Sequence, residues 1–183
     1  MPDRRGRPRA FEGAAKVARR LLLKDHWFLA VRPRSSGRED YRTTDGYRVL
    51  RPPRDRYDAD PFVIKHEGHN YLFFEEFRFD HPKGTIACMR LDPDGRPVSR
   101  DVVLERPYHL SFPFVFAWAG EIWMIPETSA NRTIELYRSR RFPYEWTLER
   151  VLMTGVDASD TVLLSHDERY WLFTNLVTDH ASA

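Results

Sequence analysis

The sequence predicts an all-β fold built of propeller blades, and three observations carry that expectation. The first is an internal repeat without gaps: Asp60 to Glu75 (DPFVIKHEGHNYLFFE), Phe112 to Glu127 (FPFVFAWAGEIWMIPE) and Asp160 to Asn175 (DTVLLSHDERYWLFTN). Pro61, Pro113 and Thr161 align, as do Gly68, Gly120 and Glu168, then Tyr71, Trp123 and Trp171, then Phe73, Ile125 and Phe173. The second is the make-up of each copy: an apolar strand, a polar turn and an aromatic-rich second strand, which together read as a β-hairpin. The third is a sub-repeat that follows the first two copies. Thr85 to Met89 aligns with Thr133 to Tyr137, and Val103-Leu104 with Val151-Leu152, which makes four strands per unit. Four-stranded units recurring at about 50 residues are the sequence form of propeller blades.

Taken in order, residues 1–10 are rich in Arg, Pro and Gly with little to bury, and read as a flexible basic tail. Residues 11–26 place Phe11, Ala14, Ala15, Ala18, Leu21 and Leu22 at helical spacing opposite Lys16, Arg19, Arg20 and Lys24, a short amphipathic helix. Such a helix packs on its own domain or makes weak contact with an anionic membrane surface through residues 11–24. Trp27 to Val31 has strand composition, and Arg32 to Gly46 is a turn-rich loop. Residues 27–183 then form the propeller domain, with repeats starting near 60, 112 and 160. Both strands of each hairpin are apolar on successive residues, so both faces should be covered by neighbouring sheets. Asp60 to Ala183 is 124 residues, about two and a half units of about 50 residues. Closed propellers have roughly four to eight blades. The domain is therefore expected to be partial, with Trp27 to Leu50 adding outer strands. An open edge would then be left for a partner domain or chain.

The composition, 42% hydrophobic, 31% charged and 14% aromatic over 183 residues, can support a sizeable core. No run approaches the length of a membrane span, and no secretory h-region is present, which predicts a soluble, cytoplasmic chain. Cys88 is the single cysteine, so neither an internal disulfide nor a cysteine zinc site is expected. It lies in an apolar strand and reads as inert core. Residues 1–54 hold 15 Lys+Arg against 6 Asp+Glu, and residues 55–183 hold 14 against 21. A basic arm on an acidic body does not fit a nucleic-acid-binding domain, whose folded surface should carry the positive charge. No metal or cofactor is expected.

The acidic body invites a search for working carboxylates. Blades are radial copies, so the first residue of each innermost strand should ring one end of the channel: Asp60, Phe112 and Asp160. Two acids facing one axis are what glycoside hydrolysis needs, one to activate water and one to tune charge or protonate the leaving oxygen. The plainer alternative is that each Asp merely turns the chain at a strand start. His109 and Ser111, in Tyr108-His109-Leu110-Ser111, precede the second copy at the same end and are candidate sugar ligands. Glu127 is a further candidate; it and Glu75 stand at equivalent places that the repeat itself does not bring to the ring. Trp118, Trp123, Trp146 and Trp171 can stack on sugar faces, although the repeat favours core packing for Trp123 and Trp171. His66 and His69 fall in a turn and read as exposed. Asn131-Arg132-Thr133 matches a glycosylation acceptor, which carries no weight without a secretory signal.

Asp58-Ala59-Asp60-Pro61-Phe62, with the turn and Tyr71-Leu72-Phe73 after it, resembles the first-blade motif of five-bladed arabinanase-like glycosidases. The resemblance implies Asp60 as general base, with Asp58 beside it as a candidate substrate ligand. Asp157 to Thr174 is similar to their third-blade motif, which implies Asp160 as modulator of the acid's pKa. Their general acid is a Glu at the start of a following blade, which is absent from this chain. Tyr57 to Phe74, Pro107 to Phe116 (PYHLSFPFVF) and Ile125 to Tyr137 (IPETSANRTIELY) are more specifically similar to the N-terminal domain of plant glucosamine inositolphosphorylceramide transferases and their bacterial relatives. That resemblance runs from about Trp27 to the C-terminus. It implies a carbohydrate-associated domain that recognises a sugar or glycoconjugate beside a glycosyltransferase or polysaccharide-assembly system and is not itself catalytic. An active glycosidase with Asp60 as base and Asp160 as modulator, and an inactive truncated fragment, are the alternatives.

Overall fold

A computed structural model of the chain describes residues 26–33 and 43–177. The basic tail, all but the last residue of the expected helix, and most of the polar loop lie outside the described residues. Within them the chain is all-β, with one short 3-10 turn at Ser129–Asn131 and no helix long and apolar enough to cross a membrane. The strands are β1 (Leu29–Val31), β2 (Arg48–Leu50), β3 (Arg56–His66), β4 (His69–Arg78), β5 (His81–Leu91), β6 (Pro97–Leu104), β7 (Ser111–Trp118), β8 (Glu121–Thr128), β9 (Thr133–Arg141), β10 (Glu145–Thr154), β11 (Ala158–His166) and β12 (Arg169–Leu176). They form antiparallel sheets β3-β4-β5-β6 and β7-β8-β9-β10, and two-stranded sheets β1-β2 and β11-β12, none of them closed into a barrel.

The repeat is written into the backbone. Each copy turns through a two-residue hairpin whose central residues both have positive φ: Glu67 and Gly68 (47° and 81°), Ala119 and Gly120 (52° and 78°), Asp167 and Glu168 (50° and 59°). Such turns match the twist of the flanking strands. Asp60, Phe112 and Asp160, expected as first residues of their strands, are instead the fifth, second and third residues of β3, β7 and β11, because each strand begins before a bulge at which these residues take φ of 51°, 43° and 54°. Residues with side chains adopt this region only when the surroundings over-determine it, at about 1–3 kcal/mol each.

Successive apolar residues do face opposite sides, as expected for sheets covered on both faces. Phe73, Ile86 and Cys88 pack towards the second sheet, onto Val115, Ile122, Met124 and Tyr137. Leu72, Phe74, Ala87 and Met89 face the other way, onto Leu29 and Leu50 of the β1-β2 hairpin. Ile125, Ile134 and Phe116 of the second sheet meet Leu163 and Leu172 of the third. Cys88 is buried, and that burial pushes its thiol well above the usual range.

The third copy departs from expectation. Trp123 is 6% exposed, as its repeat position predicts, but Trp171 is 45% exposed. Phe173 is 52% exposed where its counterparts Phe73 and Ile125 are buried. Among the described residues β12 pairs only with β11, and no sheet covers the face that carries Val162, Leu164, Trp171 and Phe173. The same substitution should therefore give very different results at equivalent positions. Phe73→Ala is expected to cost about 3–5 kcal/mol by leaving a core cavity, and Phe173→Ala less than about 0.5 kcal/mol. Urea denaturation of the two variants measures the difference. His66 also departs from its expected exposure, since its ring lies 4.6 Å from that of Phe142.

Candidate functional site

The bulge near the start of β3 decides which acids meet. Asp58 pairs across the ladder with Glu76, and Ala59 with Glu75, after which the register shifts and Asp60 takes the left-handed conformation. Glu75 and Glu76 point to opposite faces because they are consecutive in a strand. Glu76 and Asp58 share a structural cluster. Arg100 donates to both Asp58 oxygens at 2.7 and 2.8 Å and also to Glu76, while Arg56 donates to Glu76 Oε1 at 3.0 Å. The Asp58 side chain has no exposed surface. Asp58 also lines the cavity beside the candidate site, but both of its oxygens are held by Arg100, so a ligand there would compete with that pair.

The other face assembles the site. Glu75 is 5% exposed; its Oε1 accepts a hydrogen bond from the Tyr57 hydroxyl at 3.3 Å and lies 3.4 Å from His109 Nε2. Burial, then the charges of Asp60 and Glu127, push Glu75 up to about 7, against the pull of the Tyr57 hydrogen bond. His109 is held by Gly84, whose amide N–H donates to Nδ1 at 2.8 Å. An Nδ1 that accepts fixes the proton of neutral His109 on Nε2, towards Glu75. Burial holds His109 below its ordinary value although Glu127 and Asp60 work the other way. Gly84 cannot be anything larger: a Cβ there would sit 2.2 Å from the Leu110 carbonyl oxygen and 2.8 Å from Glu75 Oε1.

Asp60 Oδ2 accepts from the Phe112 amide at 3.3 Å, one repeat further on. Its carboxyl is raised by burial and by Asp160, and lowered by the Phe112 hydrogen bond and by His109. Glu127 accepts from Ser129 Oγ at 2.8 Å and, through Oε2, from the Asp160 amide at 3.4 Å. Asn175 Nδ2 donates to Asp160 Oδ2 at 3.0 Å. Ser111 is buried and pairs with Glu127 across the β7-β8 ladder. The structure thus brings Asp60, His109, Glu127 and Asp160 into one electrostatic neighbourhood with Ser111 behind it. It adds Glu75 and Tyr57, which sequence reasoning missed. The repeat by itself did not bring Glu75 to the strand starts; in the structure it pairs with Ala59 beside the bulge and feels the charge of Asp60. A signal did exist: Glu75, Glu127 and Asn175 occupy one repeat position, and each interacts with a strand-start residue. Among the described residues no three His, Cys, Asp or Glu side chains are grouped to hold a metal ion.

A cavity of about 460 Å³ opens beside this cluster, lined by Trp27, Phe28, Tyr57, Asp60, Pro61 and Glu75 among others. Trp27 is 62% and Phe28 45% exposed, so aromatic faces and carboxyl groups share one concave surface.

The electrostatics predict how stability depends on pH. Glu75 has a folded value of about 7 against an ordinary 4.5. Its contribution is therefore fully present below about pH 4.5 and lost as the pH rises through about 7, up to about 3 kcal/mol in all. His109, depressed, contributes stability that is lost as the pH falls through its folded value. Denaturation at a series of pH values should show stability falling from about pH 5 to about pH 8, and Glu75→Gln should flatten that fall.

These features define an all-β domain of repeated antiparallel sheets with a carboxyl-rich, aromatic-walled cavity at the strand starts. The chain belongs to the family described as glucosamine inositolphosphorylceramide transferase 1, N-terminal, whose model matches residues 53–183. Glucosamine inositolphosphorylceramide transferase 1 of Oryza sativa subsp. indica is 37% identical over 123 residues, 67% of this chain and 16% of that protein, and the subsp. japonica protein matches equally. The Arabidopsis thaliana protein of the same name is 36% identical over 115 residues, 62% of this chain and 15% of its own length. The chain thus spans about a sixth of these relatives. No solved structure matches it.

Proposed function

We propose that the chain is a carbohydrate-associated domain that recognises a sugar or glycoconjugate beside a glycosyltransferase, and that its sheets are consecutive blades of a five-bladed β-propeller. The blade reading is supported by the three bulged strand starts at Asp60, Phe112 and Asp160 and by the face-to-face packing of successive sheets. The transferase context is supported by the relatives' shared name. One observation carries the sugar: Trp27 and Phe28, both substantially exposed, line one cavity with Asp60 and Glu75, with Arg51 over the Phe28 ring at 5.2 Å from its centroid. Aromatic faces pack against the C–H surface of a sugar ring, and an ionised carboxylate accepts hydrogen bonds from hydroxyl groups through both oxygens. Asp60 is the principal acceptor in this reading, with Asp160 and Glu127 setting the charge around it.

Calorimetric titration with a panel of neutral saccharides and glycolipid headgroups tests the reading. At least one is expected to bind the wild type, and Asp60→Ala is expected to weaken that binding at least tenfold, about 1.4 kcal/mol. No binding across the panel, or full binding by Asp60→Ala, contradicts it.

A further inference from the structure

We propose that Glu75 enters this cavity as a carboxylic acid, presenting an Oε2–H donor beside the Asp60 acceptor, so that the site selects an uncharged sugar ring bearing adjacent oxygens. The proposal rests on the sugar-binding reading above and adds the ligand's charge, the donor and the atom that carries the proton.

The argument begins with hydrogen-bond inventory. A carboxyl oxygen that already accepts a hydrogen bond, with an N–H donor close by, is a poor place for a proton. Glu75 Oε1 accepts from the Tyr57 hydroxyl at 3.3 Å and lies 3.4 Å from His109 Nε2, the nitrogen on which the Gly84 amide fixes the proton, so the side of Oε1 is already occupied. Oε2 has no hydrogen-bond partner among the described residues, and Glu75, 5% exposed, lines the cavity. The buried side-chain atoms without a partner among the described residues are Arg138 Nε and Ser139 Oγ, so Glu75 Oε2 is open to the cavity rather than sealed, where a ligand group can take the place of water. A proton on Glu75 therefore sits on Oε2, where it can be donated.

Glu135 shows the contrasting arrangement in the same protein. It is 2% exposed and burial pushes it up, but hydrogen bonds from Tyr137, Thr133, Tyr108 and Asn131 outweigh burial and hold it below the ordinary range. Among the described residues Glu75 accepts one hydrogen bond, from Tyr57, has His109 Nε2 at 3.4 Å and forms no ion pair with Lys or Arg, and it is pushed up by burial, Asp60 and Glu127. The titratable groups facing it are Tyr57 and Asp60 of β3, His109 of the segment before β7, and Glu127 of β8; Asp160 acts on Asp60 in turn. Glu76, its neighbour on β4, is turned away onto Arg56 and Arg100. With Asp60, Glu127 and Asp160 already present, an anionic sugar would meet like charge, whereas a neutral ring offers one hydroxyl hydrogen to Asp60 and one oxygen lone pair to Glu75.

The test is an NMR titration of the full chain with the methyl glycosides of glucose, galactose and mannose and with glucuronate, at about pH 6 and about pH 8.5 and with the fold checked by circular dichroism at both. With a folded value of about 7, the neutral fraction of Glu75, and with it the affinity for a neutral glycoside, should fall about thirtyfold over that interval. Glu75→Gln keeps a donor at the same place, so it should bind at both pH values with no such fall. Glu75→Leu should bind at least tenfold more weakly at about pH 6, and glucuronate at least tenfold more weakly than any glycoside that binds. Affinity that is flat or rises with pH in the wild type, or tight glucuronate binding, overturns the proposal while leaving sugar recognition standing. Absence of binding by every neutral glycoside at both pH values overturns both.

Discussion

Arg100→Ala is expected to destabilise the protein by about 3–5 kcal/mol, the loss typical when one partner of a buried ion pair is removed. The damage lies in what remains. Asp58 has no exposed side-chain surface and Glu76 is 4% exposed, so two carboxylates lose their principal cation in a space that water reaches poorly. Arg56 still serves Glu76 Oε1 but does not contact Asp58. Arg100 also lies over the Phe74 ring, its guanidinium carbon 4.9 Å from the centroid, so its packing is lost as well. Arg100→Lys keeps the charge but not the paired donors, and should fall between wild type and alanine. Urea midpoints measure the series. A loss under about 1 kcal/mol for Arg100→Ala would show that the cluster is solvated rather than sealed.

Gly84→Ala should be comparably severe, at about 3 kcal/mol or more, because the added methyl overlaps backbone. Its Cβ would stand 2.2 Å from the Leu110 oxygen, 2.8 Å from Glu75 Oε1 and 2.9 Å from His109 Cε1. The Leu110 amide also donates to the Gly84 carbonyl at 3.1 Å, so the two segments cannot separate without breaking this link and the Gly84–His109 hydrogen bond together. Gly68 is the control. It has φ of 81° and nothing within 4 Å of an added Cβ, so Gly68→Ala should cost only the conformational strain, about 1 kcal/mol. Thermal melting of the pair reads the difference, and equal shifts would refute the close packing at Gly84.

Much of the architecture was legible in the chain because it is periodic. Aligning Asp60, Phe112 and Asp160 as strand starts located three residues that share a bulge and a left-handed backbone. The sub-repeat at Thr85 and Thr133 fell within β5 and β9, the third strands of the two four-stranded sheets. The site was less legible for the same structural reason. A bulge inserts a residue and breaks strict alternation, so the sequence did not tell whether Glu75 or Glu76 shares a face with Asp60. The Arg100 partner of Asp58 was not legible, because it lies 42 residues away on β6, beyond any local pattern. His109 is held by Gly84 across 25 residues. Trp171 read as core because of its place in the repeat, but burial belongs to the neighbouring sheet and not to the residue itself, and both Trp171 and Phe173 are exposed.

A carbon-13 NMR titration of the Glu75 side-chain carboxyl tests most directly the claim that burial and converging acids surround this group at one cavity. The midpoint is expected near 7, and Asp60→Asn, by removing a neighbouring negative charge, should lower it. A midpoint at the ordinary 4.5, unchanged in Asp60→Asn, would contradict the account.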